Sequence, residues 1–159
     1  MWSRMENELT MREIPEEDWH STLTVASLAE LEVRNEEDYG KVVRTILNRL
    51  EGAGEADGTP MPLQFDSTVH FVTGKNASVG TTDAERATES PFNTYLHTGL
   101  PPGPIASPGG ATLNAVQDPP AGDWLYFVTV NTDTGDTKFA ETWAEHEVNV
   151  REWQEWANS

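Results

Sequence analysis

The stretch Leu23-Thr24-Val25-Ala26-Ser27-Leu28-Ala29-Glu30-Leu31-Glu32-Val33 decides how the chain is read. It reads as a helix that is apolar almost all round, the pattern of a buried helix. Yet it carries two carboxylates. At about 100° per residue, Glu30 falls on one stripe with Trp19, Leu23, Ala26 and Val33. Glu32 falls beside Val25 and Leu28, roughly 160° away, so the two cannot share a face. A glutamate inside an apolar stripe is desolvated, which disfavours its charged form. That suits a general acid near neutral pH and makes Glu30 the candidate. The competing reading is a structural glutamate bonded to backbone or to an arginine.

Outward from this helix the chain alternates helical and irregular stretches. Residues 1–14 are polar and mixed and suggest no element. Pro15-Glu16-Glu17-Asp18 opens the central helix, with proline tolerated in a first turn and three acids facing the positive end of the dipole. Asn35 is placed to cap a second helix from Glu36. Its apolar positions Tyr39, Val42, Val43, Ile46, Leu47 and Leu50 follow helical spacing, and Gly52 stops it. Asn48 and Arg49 lie off that stripe and are available for other work. A Gly-rich acidic loop follows over 51–61. Leu63, Phe65, Val69 and Phe71 all sit on odd positions, so 62–72 reads as a short extended segment. A short helix is expected at 82–89.

Residues 90–105 are dense in proline and glycine with apolar and aromatic residues between them, a rigid loop of the kind that is usually functional. Ser107-Pro108 is expected to cap a helix over about 109–117. Residues 123–130 form the best strand, and Thr134-Gly135-Asp136 turns it into a hairpin. Thr142 and Glu145 have capping-box spacing and open a last helix through Val148, Trp153 and Trp156.

The whole chain has 159 residues, 36% hydrophobic and 23% charged, which fits one domain with a real core. Its net charge of −17 argues against nucleic-acid and anionic-lipid partners. It has no cysteine, which removes thiolate metal sites and cysteine nucleophiles. There is no apolar run long enough for a membrane span, and no signal peptide is visible. No phosphate loop, zinc spacing or nucleophile elbow is found, and His20, His70, His97 and His146 are assigned to no metal.

Several blocks, in this order, resemble the endolytic murein transglycosylases of the MltG (YceG-like) type. They are Ala26-Ser27-Leu28-Ala29-Glu30-Leu31-Glu32, Asn48-Arg49-Leu50, Pro62 through Val69, Ser90-Pro91-Phe92-Asn93-Thr94-Tyr95, Gly99-Leu100-Pro101-Pro102-Gly103-Pro104-Ile105, Tyr126-Phe127-Val128 and Glu145-His146. The similarity runs from about residue 18 to 152. Two departures stand out: Ser67 where the family usually has proline, and Phe92 for a common tyrosine. The family's N-terminal membrane helix and small LysM-like subdomain have no counterpart.

The resemblance implies a single α+β domain over 15–159, with helices packed around a small antiparallel sheet. Glu30 would lie at the floor of a cleft walled by the 91–106 loop. It implies lytic cleavage of the bond between N-acetylmuramic acid and N-acetylglucosamine, with Glu30 as acid and then base, giving 1,6-anhydro ends. Gln64, Asp66, Asn93, Thr94 and Tyr95 would hold sugar, or else keep the loop in shape. Glu32, Asn48 and Arg49 would be supports. No cofactor or metal is expected. The expected partners are peptidoglycan glycan strands and the cell-wall synthesis machinery, met by a monomer. The intact family protein would work at the extracytoplasmic face of the cell membrane, and this chain, lacking the anchor, would be soluble. The alternatives are a muramidase-type hydrolase of the same bond, with Asp66 as second carboxylate, and a glycan-binding module without activity.

Overall fold

Helix α2 (Trp19–Glu32) is buried without a break from Thr22 to Ala29. Its surroundings are clear in the computed structural model, which describes residues 2–75 and 80–159. Among the described residues the other elements are α1 (Trp2–Met11), α3 (Tyr39–Glu51), α4 (Asp66–Thr73), α5 (Asp83–Arg86), α6 (Gly110–Gln117), β1 (Tyr126–Asn131), β2 (Asp136–Ala140) and α7 (Trp143–Ala157). This is the α+β arrangement expected, with helices around one small antiparallel hairpin. None of the helices among the described residues is long and apolar enough to cross a membrane.

Two apolar clusters meet on α2 from opposite sides. Val25, Leu28, Ala29 and Val33 pack with Val42, Val43 and Ile46 of α3 and with Leu63, Phe65 and Ile105. Leu23 and Ala26 pack with Met5 and Leu9 of α1 and Leu113 of α6. That is why the helix has no polar face. The second cluster also explains α1, which the sequence reading left unassigned. Met5 and Leu9 are one helical turn apart and buried, while Ser3, Arg4, Glu6, Asn7, Glu8 and Thr10 between and around them are polar. Arg12 and Gln117 tie the end of α1 to α6 through Asn114 Oδ1 and the Arg12 carbonyl.

Helix α3 follows its predicted stripe, and Gly52 ends it in the left-handed region (φ 72°). A Cβ there would lie 2.6 Å from the Gly58 and Thr59 backbone, so the stop also needs glycine for space. Asn35 does not cap by its side chain, because its amide donates to the Thr134 carbonyl instead.

The expected extended segment 62–72 does not form: residues 62–65 are irregular, with Gln64 in the left-handed region, and α4 takes the rest. Phe65 and Val69 are spaced equally well for a strand or for a helix, and both are buried. Phe71 separates the two patterns, and it is exposed. Asp66 at the start of α4 complements the helix dipole.

Helix α6 starts at Gly109 rather than at the expected Ser107 cap, and Gly109 has no side chain to cap with. Glu30 does that work from α2. Its Oε2 accepts from the Gly109 N–H (3.3 Å) and from Thr112 Oγ1 (2.8 Å). Replacing Glu30 by alanine removes this cap, so unfolding stability should fall by about 1–2 kcal/mol. Urea denaturation checks this; an unchanged midpoint in Glu30→Ala would show that the contact contributes nothing.

Candidate active site

The 90–105 loop turns inward onto α2 and α4 rather than over an open Glu30. Ile105 N–H donates to Ser27 Oγ (3.0 Å), and the His20 ring meets the Pro102 carbonyl (2.6 Å). Asn93 is buried, its amide donating to the Arg86 and Thr88 carbonyls (both 2.8 Å) and its Oδ1 accepting from Tyr95 N–H. Thr94 is buried as well, with Oγ1 accepting from Phe65 N–H (2.9 Å) and meeting Thr68 Oγ1 (2.9 Å). Both residues hold the loop. Of this loop, Tyr95 alone lines the cleft described next.

That cleft, of about 440 Å³, opens on the other side of α2. Glu32 lines it, together with Arg49, Leu63, Gln64, Phe65, Asp66, Arg86 and Tyr95. Phe127, Val128 and Thr129 of β1 and His146, Val150 and Trp153 of α7 complete the wall. Glu30 is absent from this lining. Two residues further along the same helix point to opposite sides, so the carboxylate that reaches the cleft is Glu32.

Glu32 Oε2 accepts from the Ser67 N–H (3.2 Å). Burial pushes its carboxyl up from 4.5 to about 7, and neighbouring Asp66 adds to the rise. The Ser67 groups and the Arg49 guanidinium pull the other way and do not offset it. Relative to a free glutamate, the site favours the protonated form by roughly 3 kcal/mol.

Asp66 Oδ1 accepts from Thr81 Oγ1 and from Tyr95 Oη (both 2.6 Å). The Arg86 guanidinium lies over the Tyr95 ring at 5.1 Å and donates to Thr81 Oγ1 (2.6 Å). Burial and the bond to Asp66 raise the Tyr95 phenol, which stays protonated. Gln64 sits between Leu63 and Phe65 with φ 56°, a left-handed conformation rare for glutamine. Such strain persists only where the surroundings over-determine it. Here the two flanking side chains are buried and Gln64 N–H donates to the Thr94 carbonyl, so Gln64 itself is turned outward at the cleft.

Asn48 and Arg49 are buried connectors. The Asn48 amide donates to the Gly122 and Trp124 carbonyls, and Arg49 donates to those of Leu125, Pro62 and Leu63. They fasten both sides of the cleft to α3. Arg49 also lines it and lies over the Tyr126 ring at 5.6 Å. Among the described residues no cluster of three or more His, Asp or Glu side chains is arranged to hold a metal ion.

Arg86, His146 and Trp153 also line the cleft, and the sequence reading gives none of them a site role. Arg86 lay in a stretch that carried little pattern. His146, Val150 and Trp153 follow i, i+4, i+7 spacing on α7, a stripe that marks a common face without saying what the face meets. His146 stacks on Tyr126 (5.2 Å between centroids), and burial followed by the Arg49 charge lowers its ring.

The chain is similar to several known proteins. A protein of Bacillus subtilis (strain 168) named endolytic murein transglycosylase is 39% identical over 128 residues, covering 80% of this chain and 32% of that protein. One of the same name from Streptococcus pneumoniae (D39) is 33% identical over 134 residues, covering 82% of this chain and 23% of that protein. The chain therefore spans a third or less of these relatives. The crystal structure of a YceG-like protein from Listeria monocytogenes superposes with a TM-score of 0.73 at 34% identity, over 91% of this chain and 43% of that one. With residues 1–152 matching the model of the YceG-like family as well, the chain belongs to the YceG-like family.

Proposed function

We propose that this domain is the catalytic part of an endolytic peptidoglycan transglycosylase, with Glu32 as its acid and base. The observation that carries the reading is the Glu32 carboxyl lining the cleft, where burial pushes it up to about 7. A group poised there can give up a proton and take one back at similar cost. Glu30 supports the reading by exclusion, since its carboxylate is spent on the start of α6.

In the proposed reaction Glu32 protonates the glycosidic oxygen between N-acetylmuramic acid and N-acetylglucosamine. The C1–O bond breaks and an oxocarbenium-like centre develops at C1. Glu32, now a carboxylate, takes the proton from the muramic C6 hydroxyl as that oxygen bonds to C1. The products are a 1,6-anhydro end and a free hydroxyl on the leaving sugar, with no water consumed. The usual glycosidase arrangement needs two carboxylates to handle water or a covalent intermediate. An internal nucleophile needs one.

The walls of the cleft suit a sugar. Phe127, Val150 and Trp153 offer an apolar side, and Gln64, Asp66, Arg86 and Tyr95 offer donors and acceptors. Pyranose rings have the same division, with apolar C–H faces and polar edges. Peptidoglycan glycan strands are the proposed substrate, and the elongation machinery is the proposed setting. In the intact protein that places the work outside the cell membrane.

Glu32→Gln should lower turnover of glycan strands at least 100-fold. Glu30→Gln, which keeps an acceptor at the α6 cap, should stay within a few-fold of the parent. The reverse ranking would return the role to Glu30. Mass spectrometry of the products should find new ends lighter by one water than ordinary reducing ends. Ordinary ends would instead indicate a hydrolase using Asp66, and binding without cleavage a glycan-binding module. The pH profile should lose activity as pH rises through about 7, where Glu32 gives up its proton. Trp153→Ala should raise KM about ten-fold with kcat little changed, because the ring is at the cleft wall and outside the apolar clusters; an unchanged KM would remove Trp153 from the sugar site.

A further inference from the structure

Among the described residues, the Glu32 carboxylate accepts a direct hydrogen bond from the backbone of Ser67. Ser67 is the second residue of α4, buried, and its N–H is one of the first-turn donors that the helix itself leaves unpaired. Glu32 Oε2 takes that N–H at 3.2 Å. The Ser67 hydroxyl is buried beside the same carboxylate and has no hydrogen-bond partner among the described residues, so it is placed to turn toward Glu32. A proline at this position would supply neither group.

We propose that Ser67 is a positioning residue for Glu32, its N–H and hydroxyl fixing the carboxylate and setting the pH at which it changes charge. The other charged or titratable groups around Glu32 are Asp66 on α4, Arg49 on α3, Tyr95 and Arg86 beyond α4, and His146 on α7. Asp66 and Arg49 oppose each other in their effect on Glu32. Tyr95 is held protonated by Asp66, and Arg86 is engaged with Thr81 and the Tyr95 ring. Ser67 is therefore the neutral group whose replacement changes Glu32 without altering the charge of the cleft. The Ser67 N–H donates to Glu32 and the adjacent hydroxyl is a second available donor, and donation to a carboxylate favours its ionised form. Removing them must raise the Glu32 midpoint.

The catalytic consequence rests on the reading of Glu32 as the reacting acid, whereas the bond itself can be tested without turnover. Carbon-13 NMR of the Glu32 carboxyl gives its midpoint in the free protein. In the parent chain the Ser67 amide proton should move downfield with that same midpoint, and the response should vanish in Glu32→Gln. Ser67→Ala should raise the midpoint by about half a pH unit, Ser67→Pro by about one, and Ser67→Thr, which keeps both donors, should leave it in place. The alkaline limb of activity should move the same way in Ser67→Ala. A Ser67 amide that ignores Glu32, or equal midpoints in the parent, Ser67→Ala and Ser67→Pro, would overturn the proposal. The amide measurement needs no substitution at Ser67, so it decides the matter even where proline disturbs the first turn of α4. If the amide and carboxyl titrate together in a chain that cleaves no glycan, the positioning role stands and the proposed reaction falls.

Discussion

Helix α2 is surrounded by protein on every side along its middle two turns. That constraint governs the rest of the structure. A helix so enclosed has its backbone paired internally, but each polar side chain on it must find a partner or incur the cost of burial. Thr24 turns back to the His20 carbonyl, and Ser27 bonds both the Thr24 carbonyl and the Ile105 N–H. Glu30 meets the open end of α6. Each of these bonds also fixes a neighbouring segment, so the irregular 99–109 region is held by the helix it covers. Glu32, in the last turn, is the polar residue for which enclosure is least compensated.

The cleft exists because α3 holds its two sides apart. Asn48 and Arg49 take backbone carbonyls from the segment before the hairpin and from Pro62 and Leu63. Five carbonyls on two residues make a rigid brace, and a guanidinium is suited to it because its donors are fixed in one plane. The side chain that braces the cleft also puts a positive charge within reach of Glu32. That charge limits how far burial can raise the carboxyl. Packing and electrostatics are thus set by the same residue.

Much of this was legible in the chain. The α3 stripe, the Gly52 stop, the hairpin and the Thr142 cap were read from local patterns, and each formed as read. The ordered motif blocks pointed to the YceG-like family, to which the chain belongs. Two elements were misread for physical reasons. Residues 62–72 read as extended because Phe65 and Val69 satisfy both periods, and only the exposure of Phe71 tells them apart. Helix α1 gives little signal because, among the residues whose burial is described, Met5 and Leu9 alone are buried in it, too few to make a stripe. Both are cases in which packing against a neighbour decides what local spacing leaves open.

The site divides in the same way. The sequence by itself determined that two carboxylates ride on one buried helix and that they face opposite ways, because helical geometry depends only on spacing. It also brought Gln64, Asp66 and Tyr95 forward, and these do line the cleft with Glu32. Which face carries the cleft was decided only by tertiary structure. The apolar stripe around Glu30 is real, but α6 closes over it and uses the carboxylate as a cap. On the Glu32 side, α4, β1 and α7 leave a gap between them instead of a seal. Periodicity reports that a face is covered, and it has no means of reporting whether the cover is a packed helix or the wall of a cavity.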